Sequence, residues 1–305
     1  MILGEFAFNP DAINDWSDLK NITMNFGFHN GAIISDFPKT WIRMLKQKAK
    51  DELEGTRQYL DVIERLDRIK SEYLIKRTRE YDNENTWLDN ALKENAGLAF
   101  YKIVNDTDVA HESNVISFEK LDETIFDGLR EGVINRHARD IANEASLVLE
   151  CSKNIKIIDP FFSSQRGYQN TISEIFNILS NNRREDVQIE VHASIMRGGN
   201  EVDIEREKQN FHRYLPAAIT KGKSLTVVWW NDNDTKELHP RYLLSERAGI
   251  RYDRGFLEPG DISERDTETD VSMMSRKMAN EVWNKYRPET SKFKIVDQII
   301  IQGTN

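Results

Sequence analysis

Residues 238–246 read Leu-His-Pro-Arg-Tyr-Leu-Leu-Ser-Glu, so His239 and Arg241 stand two positions apart. Alternate side chains of an extended strand leave the same face, which would set an imidazole beside a guanidinium. That pair suits a phosphodiester. The guanidinium fork matches two phosphate oxygens, and an imidazole can attack phosphorus or exchange a proton near neutral pH. Glu246, five residues past Arg241, is a candidate to orient the histidine.

Such a pair needs a rigid frame. At 305 residues the chain exceeds the usual size of one domain, and the expectation is an N-terminal domain over 1–120 and an α/β domain over 121–305. In the second, apolar residues at helical spacing run over 124–152 (Ile125, Leu129, Ile134, Ile141, Val148), then a short apolar strand, 155–158, stops at Asp159-Pro160. A helix at 169–179, a strand at 187–193, a helix at 202–218 and a strand at 224–230 follow. Helices alternating with β-rich runs predict a mostly parallel sheet with helical crossovers. After it, 237–244 and 249–256 are close enough to pair as a hairpin, a helix is expected at 270–286, and 293–301 reads as an edge strand. The first domain is expected to be smaller and largely helical, a regulatory unit or one that binds a protein partner, from apolar residues such as Trp41, Leu45, Ile63, Leu66 and Ile69 in a helical run over 58–79 and before it, among many charges.

The spacing His-x-Arg-x4-Glu resembles the His-x-Lys-x4-Asp motif of the phospholipase D superfamily. The His-x-Arg form, followed by Gly249-Ile250 and Arg254-Gly255-Phe256, is most similar to the divergent phospholipase-D-like domains related to the C-terminal domain of MIT-domain proteins, and to prokaryotic relatives implicated in defence against phage. Ile157-Ile158-Asp159-Pro160-Phe161-Phe162 resembles the Asp-Pro-aromatic strand end of that group, and the likeness covers roughly 125–290. It implies a mixed, mostly parallel sheet flanked by helices, with a phosphate-bearing ligand, nucleic acid by preference. Two departures bear on activity: one motif copy is present where active members combine two, and Arg241 stands in place of lysine. The resemblance therefore implies a binding or sensing component, such as one part of an antiphage assembly. A metal-independent nuclease or phosphodiesterase is the alternative. In that case His239 is the nucleophile, Arg241 the phosphate clamp, Glu246 the orienter, and His192 or His239 of a second chain in a homodimer the acid.

Other residues offer themselves with a plainer reading beside each. Asp159 either orients a site residue or makes an ordinary Asp-Pro turn. His192 is either the missing acid or a half-buried histidine bonded to backbone. Arg251 and Arg254, three apart on a strand, face opposite ways unless a bulge intervenes, and the resemblance, by family position alone, implies Arg254 as the better candidate for the cleft and Arg251 as the lesser. Arg166-Gly167-Tyr168 and Met196-Arg197-Gly198-Gly199-Asn200 follow strands and either touch phosphate or simply turn. Lys39, Arg43, Lys46, Lys48 and Lys50 give one helix a basic face for nucleic acid or an acidic partner, or a solvated face offset by Asp51, Glu52 and Glu54.

A net charge of -9 excludes a uniformly basic coat, so any polyanion site is local. A single cysteine, Cys151, rules out an intramolecular disulfide and fits a reducing, cytoplasmic setting. No run approaches the apolar length of a membrane span, and the first residues carry no secretory leader pattern. The six histidines include no pair at zinc-binding helical spacing, and nucleotide-binding glycine loops are missing, so neither metal nor cofactor is expected.

Overall fold

The structure, a computed structural model, describes residues 1–109, 111–181, 187–231 and 240–305. The chain divides into two compact units, Met1–Arg130 and Glu131–Asn305.

The first unit is organised by a five-stranded sheet. Its strands are β1 (Gly4–Phe8), β2 (Ala32–Ser35), β3 (Leu74–Ile75), β4 (Lys102–Asn105) and β5 (Val115–Ser117), in the order β3-β2-β1-β4-β5. All neighbours run parallel. Every residue of β1 and β2 is buried, as expected for strands covered on both faces. Phe6 and Phe8 pack with Trp41, Leu45 and Phe26, whereas Ala7 packs with Phe37, Trp87 and Phe100. Glu5 is buried too, and Arg79 and Arg77 neutralise it at 2.7 and 3.0 Å.

The expectation of a largely helical first domain is thus corrected. Helices Trp41–Leu53, Arg57–Arg68 and Trp87–Gly97 are present, but they serve a parallel sheet. The helical periodicity through Ile63, Leu66 and Ile69 ends in a π-turn at Ile69–Tyr73, and the chain becomes β3. The boundary falls at 130/131 rather than 120/121, because Leu129 packs into the first unit's core and the Arg130 amide donates to the Ile2 carbonyl at 2.8 Å.

The second unit is built on an eight-stranded sheet. Its strands are β6 (Glu131–Asn135), β7 (Asn154–Ile158), β8 (Gln188–Ser194), β11 (Ser224–Asn231), β12 (Arg241–Ser245), β13 (Gly249–Tyr252), β14 (Glu268–Met273) and β15 (Lys294–Gln302). A small separate hairpin pairs β9 (Met196–Arg197) with β10 (Asn200–Glu201). The order is β15-β11-β8-β7-β12-β13-β14-β6. Only β7–β8 and β8–β11 are parallel. The pairs β15–β11, β7–β12, β12–β13, β13–β14 and β14–β6 are antiparallel, which corrects the expectation of a mostly parallel sheet.

Two strands lie where helices were expected. The run 124–152 is broken into Glu123–Phe126, β6, Ala138–Glu144 and Ser146–Cys151, and the expected 270–286 helix begins only at Arg276, after β14. In β6 exposed and half-buried residues alternate strictly, a period of two that Gly132 and neighbouring Gly128 permit and a helix does not. The expected edge strand at 293–301 is present as β15.

Candidate functional site

The site is assembled where β7 ends, where β12 begins and where the chain leaves β13. Asp159 follows β7 and is 1% exposed. Its Oδ1 accepts the Phe161 N–H at 3.0 Å and its Oδ2 the Phe256 N–H at 3.1 Å, so one carboxylate ties the β7 end to the segment after β13. Burial pushes the Asp159 carboxyl up. Those two amides, Arg241 and the Tyr168 hydroxyl pull the other way by favouring the anion. Tyr168, buried by the same packing, has its phenol raised by burial and then by the Asp159 charge.

Arg241 opens β12. Its Nη1 donates to the Asp253 carbonyl at 2.7 Å, and its guanidinium lies 5.2 Å from the centre of the Phe161 ring, within cation–π range. Gly255 makes the approach possible. Its φ is +75°, and a Cβ there would stand 2.3 Å from Arg241 Cδ and 2.6 Å from Asp159 Oδ2. Arg-Gly-Phe is thus a close passage of backbone beneath a guanidinium.

Two more arginines complete the cluster. Arg254 precedes that glycine, is exposed, and is anchored by its backbone N–H to Thr269 Oγ1 at 3.3 Å. Arg136, just after β6, is held below the ordinary guanidinium value by burial first and then by the charges of Arg254 and Arg241, with Glu264 acting in opposition. Among the described residues no carboxylate forms an ion pair with Arg136, Arg241 or Arg254. In a protein of net charge -9, the charges of two other guanidiniums bear on Arg136.

Sequence reasoning missed Arg136, since it lay inside a run read as helix. Only Gly128 before β6 and Gly132 within it signalled a strand whose end could deliver it.

The remaining candidates part company. His239 lies outside the described residues. His192 is brought to the other face of the sheet from Arg241: it pairs in register with Ile158, which pairs with Tyr242, and it packs on Trp230 and Tyr286. Its Nδ1 accepts the Trp230 indole N–H at 2.8 Å, which assigns the proton to Nε2, and Nε2 donates to Glu190 at 3.1 Å. Burial lowers its basicity, and with both nitrogens engaged in a core the missing-acid role has no geometric basis.

Glu246 sits past the far end of β12, about 16 Å of extended chain from Arg241. Its carboxylate instead accepts the Lys153 and Asn154 amides at 2.7 and 3.0 Å, clamping the start of β7. Arg251 pairs with Tyr242 and so faces away from Arg241. It lines a cleft of about 630 Å³ with Glu131, Asp253 and Asp270. Arg166 begins the helix Arg166–Asn181 and is exposed, and no hydrogen bond or ion pair to a described residue ties it to the cluster.

Met196–Asn200 forms the β9–β10 hairpin. Its glycines take φ of +58° and +82° with open space around each, so they serve the turn. Arg197 fastens the hairpin to Glu207 at 3.4 Å and to the Phe162 carbonyl. The basic helix of the first unit spends its cations locally: Lys46 meets Asp67 at 2.6 Å, Lys50 meets Glu54 at 3.9 Å, and Lys48 donates to the Ile13 carbonyl at 2.8 Å.

No group of His, Cys, Asp and Glu among the described residues is arranged to hold a metal, and no described helix is long and apolar enough to cross a membrane. No protein-family model matches the chain, and no curated protein matches it. Solved structures do. TrmBL2, described as an archaeal chromatin protein with a novel mode of DNA binding, is 12% identical with a TM-score of 0.28; the match covers 57% of this chain and 57% of that one. Nuc from Salmonella typhimurium, a phospholipase D family member, is 10% identical with a TM-score of 0.33; the match covers 54% of this chain and 97% of Nuc. At such TM-scores neither likeness carries an argument, and the function has to be read from the cluster itself.

Proposed function

We propose that the second unit is a phospholipase-D-like domain that grips the phosphodiester backbone of nucleic acid as a binding or sensing component. The observation that carries this reading is the grouping of Arg136, Arg241 and Arg254 without a carboxylate partner among the described residues, around a strand end that Asp159 and Gly255 hold rigid. The charges of Arg254 and Arg241 disfavour Arg136, a cost that a further anion would relieve, and phosphate oxygens satisfy planar donors of this kind.

The pattern favours binding over hydrolysis. Cleavage through His239 would need a second proton-transfer group, and His192 is committed to Trp230 and Glu190 on the opposite face. The nuclease reading then requires His239 of a second chain.

The test is fluorescence anisotropy with labelled single- and double-stranded DNA and RNA, run beside a cleavage assay in EDTA. Binding that falls at least tenfold in Arg241→Ala and whose salt slope drops by about one supports the proposal. Wild-type protein that binds none of these nucleic acids at low salt overturns it, and EDTA-resistant cleavage abolished in His239→Ala replaces it with the nuclease reading.

A further inference from the structure

Strand β15 is an edge of the eight-stranded sheet, and its outer side pairs with no strand among the described residues. Proteins blunt such edges with short strands, prolines, inward charges or bulges. Here the strand is nine residues long, Lys-Ile-Val-Asp-Gln-Ile-Ile-Ile-Gln, with one register irregularity against β11 near Val296. Beyond that irregularity, Gln298–Gln302 is uncharged, rich in β-branched residues and regularly paired to Val228–Ser224 on its inner side. Ile300 is 57% exposed. Apart from the Gln298 N–H, which donates to Asp297 Oδ1 at 2.7 Å, this uncharged, β-branched edge is a template for another strand.

The segment says which strand fits. Gln298-Ile299-Ile300-Ile301-Gln302 is a palindrome. A two-fold axis perpendicular to the sheet at Ile300 pairs it antiparallel with its own copy: Ile300 opposite Ile300, Ile299 opposite Ile301, Gln298 opposite Gln302. On one face the exposed Ile300 covers its twin between two amide pairs, while on the other the buried Ile299 and Ile301 extend the core across the seam. A shift by one residue would set core-facing side chains against solvent-facing ones, and a shift by two would oppose Gln298 with Ile300.

We infer that the protein forms a two-fold dimer by antiparallel pairing of β15 centred on Ile300, joining two sheets into one. So short a ladder buries less than a standard interface, so dissociation in the micromolar range follows. In this dimer β12 lies four strands from the seam in each copy. Nine strand spacings place the two Arg241 positions about 43 Å apart in a flat sheet. Each copy then presents its own cluster, and this dimer builds no composite active site.

Sedimentation equilibrium of the full chain up to about 100 µM tests the inference, together with oxidative cross-linking of Ile300→Cys. The expected results are a reversible dimer, its loss in Ile300→Lys with an unchanged thermal midpoint at concentrations where both proteins are monomeric, and a disulfide-linked dimer of Ile300→Cys that the wild type, with Cys151 buried, does not give. A chain that stays monomeric, species larger than a dimer, a dimer that survives Ile300→Lys, or Ile300→Cys that fails to cross-link would each overturn it.

Discussion

The two faces of the second unit's sheet handle charge in opposite ways. On the face of Tyr242, Lys156 reaches Glu190 at 3.0 Å and the Tyr286 carbonyl at 2.7 Å, Glu190 reaches His192, and His192 receives the Trp230 indole. Each member has a partner within the chain, and the His192 bond, chief among several contacts, draws the Glu190 carboxyl down to about 2. Where β12 begins, Arg241 uses one donor on a backbone carbonyl and favours the Asp159 anion, while its charge and that of Arg254 bear on Arg136. A network closed on itself is structural; one with no ion pair among the described residues is an invitation to a ligand. Residue type alone would have favoured the histidine.

The comparison breaks most visibly at His192. His192→Ala should cost about 3 kcal/mol, from a cavity and an orphaned indole donor, and lower the second unit's thermal midpoint by about 6–12 °C. The affinity of the folded fraction for nucleic acid should not change. Calorimetry and anisotropy on the same samples separate the two, and lost binding in a fully folded variant would return His192 to the site.

Arg241→Ala should do the reverse: about 2 kcal/mol of binding lost, with little change in stability. Asp159→Asn belongs between the two. An amide nitrogen would face the amide of Phe161 or Phe256, so about 1.5 kcal/mol of stability should go, and the displaced Arg241 should weaken binding as well. A variant that binds normally would show that Asp159 holds the fold without holding the arginine.

How far the residues foretold this arrangement depends on how each signals itself. Elements bounded by turn signals, such as β7, β8, β11 and β15, were legible, and Asp159 and Arg241 drew notice because a strand stopped by Pro160 and an Arg two places past a histidine announce themselves locally. The first unit's sheet was not. Its strands are short and buried on both faces, so Phe6-Ala7-Phe8 and Ala32-Ile33-Ile34 show no alternation to read. Nor could local spacing foresee that Glu246 and Arg241 leave opposite ends of β12. Motif spacing counts residues, whereas a strand converts them to distance.

Acid sharpens the comparison further. The depressed basicity of His192 means the unfolded chain takes up a proton below its ordinary value near 6.5 while the folded chain resists it, so stability is fully present above that value and declines as pH falls. The slope is at most about 1.4 kcal/mol per pH unit from this group, and a neutral isostere such as His192→Gln should flatten it. Denaturant titrations at about pH 7.5 and about pH 5 give the slope directly. Equal slopes in both proteins would remove His192 from the explanation.

The smallest effect has the most to say about the motif. Glu246→Gln keeps one acceptor for the Lys153 and Asn154 amides and loses the charge that strengthens both bonds, a change worth about 1 kcal/mol or less. Nucleic-acid affinity should stay within twofold. Glu246 then marks where β7 is fastened to the β12–β13 turn, and the likeness to His-x-Lys-x4-Asp at this position records a strand clamp. Should Glu246→Gln instead lower binding or cleavage as much as Arg241→Ala does, the carboxylate would have to act on the site from the far end of β12, and the division between closed and open networks would no longer describe this sheet.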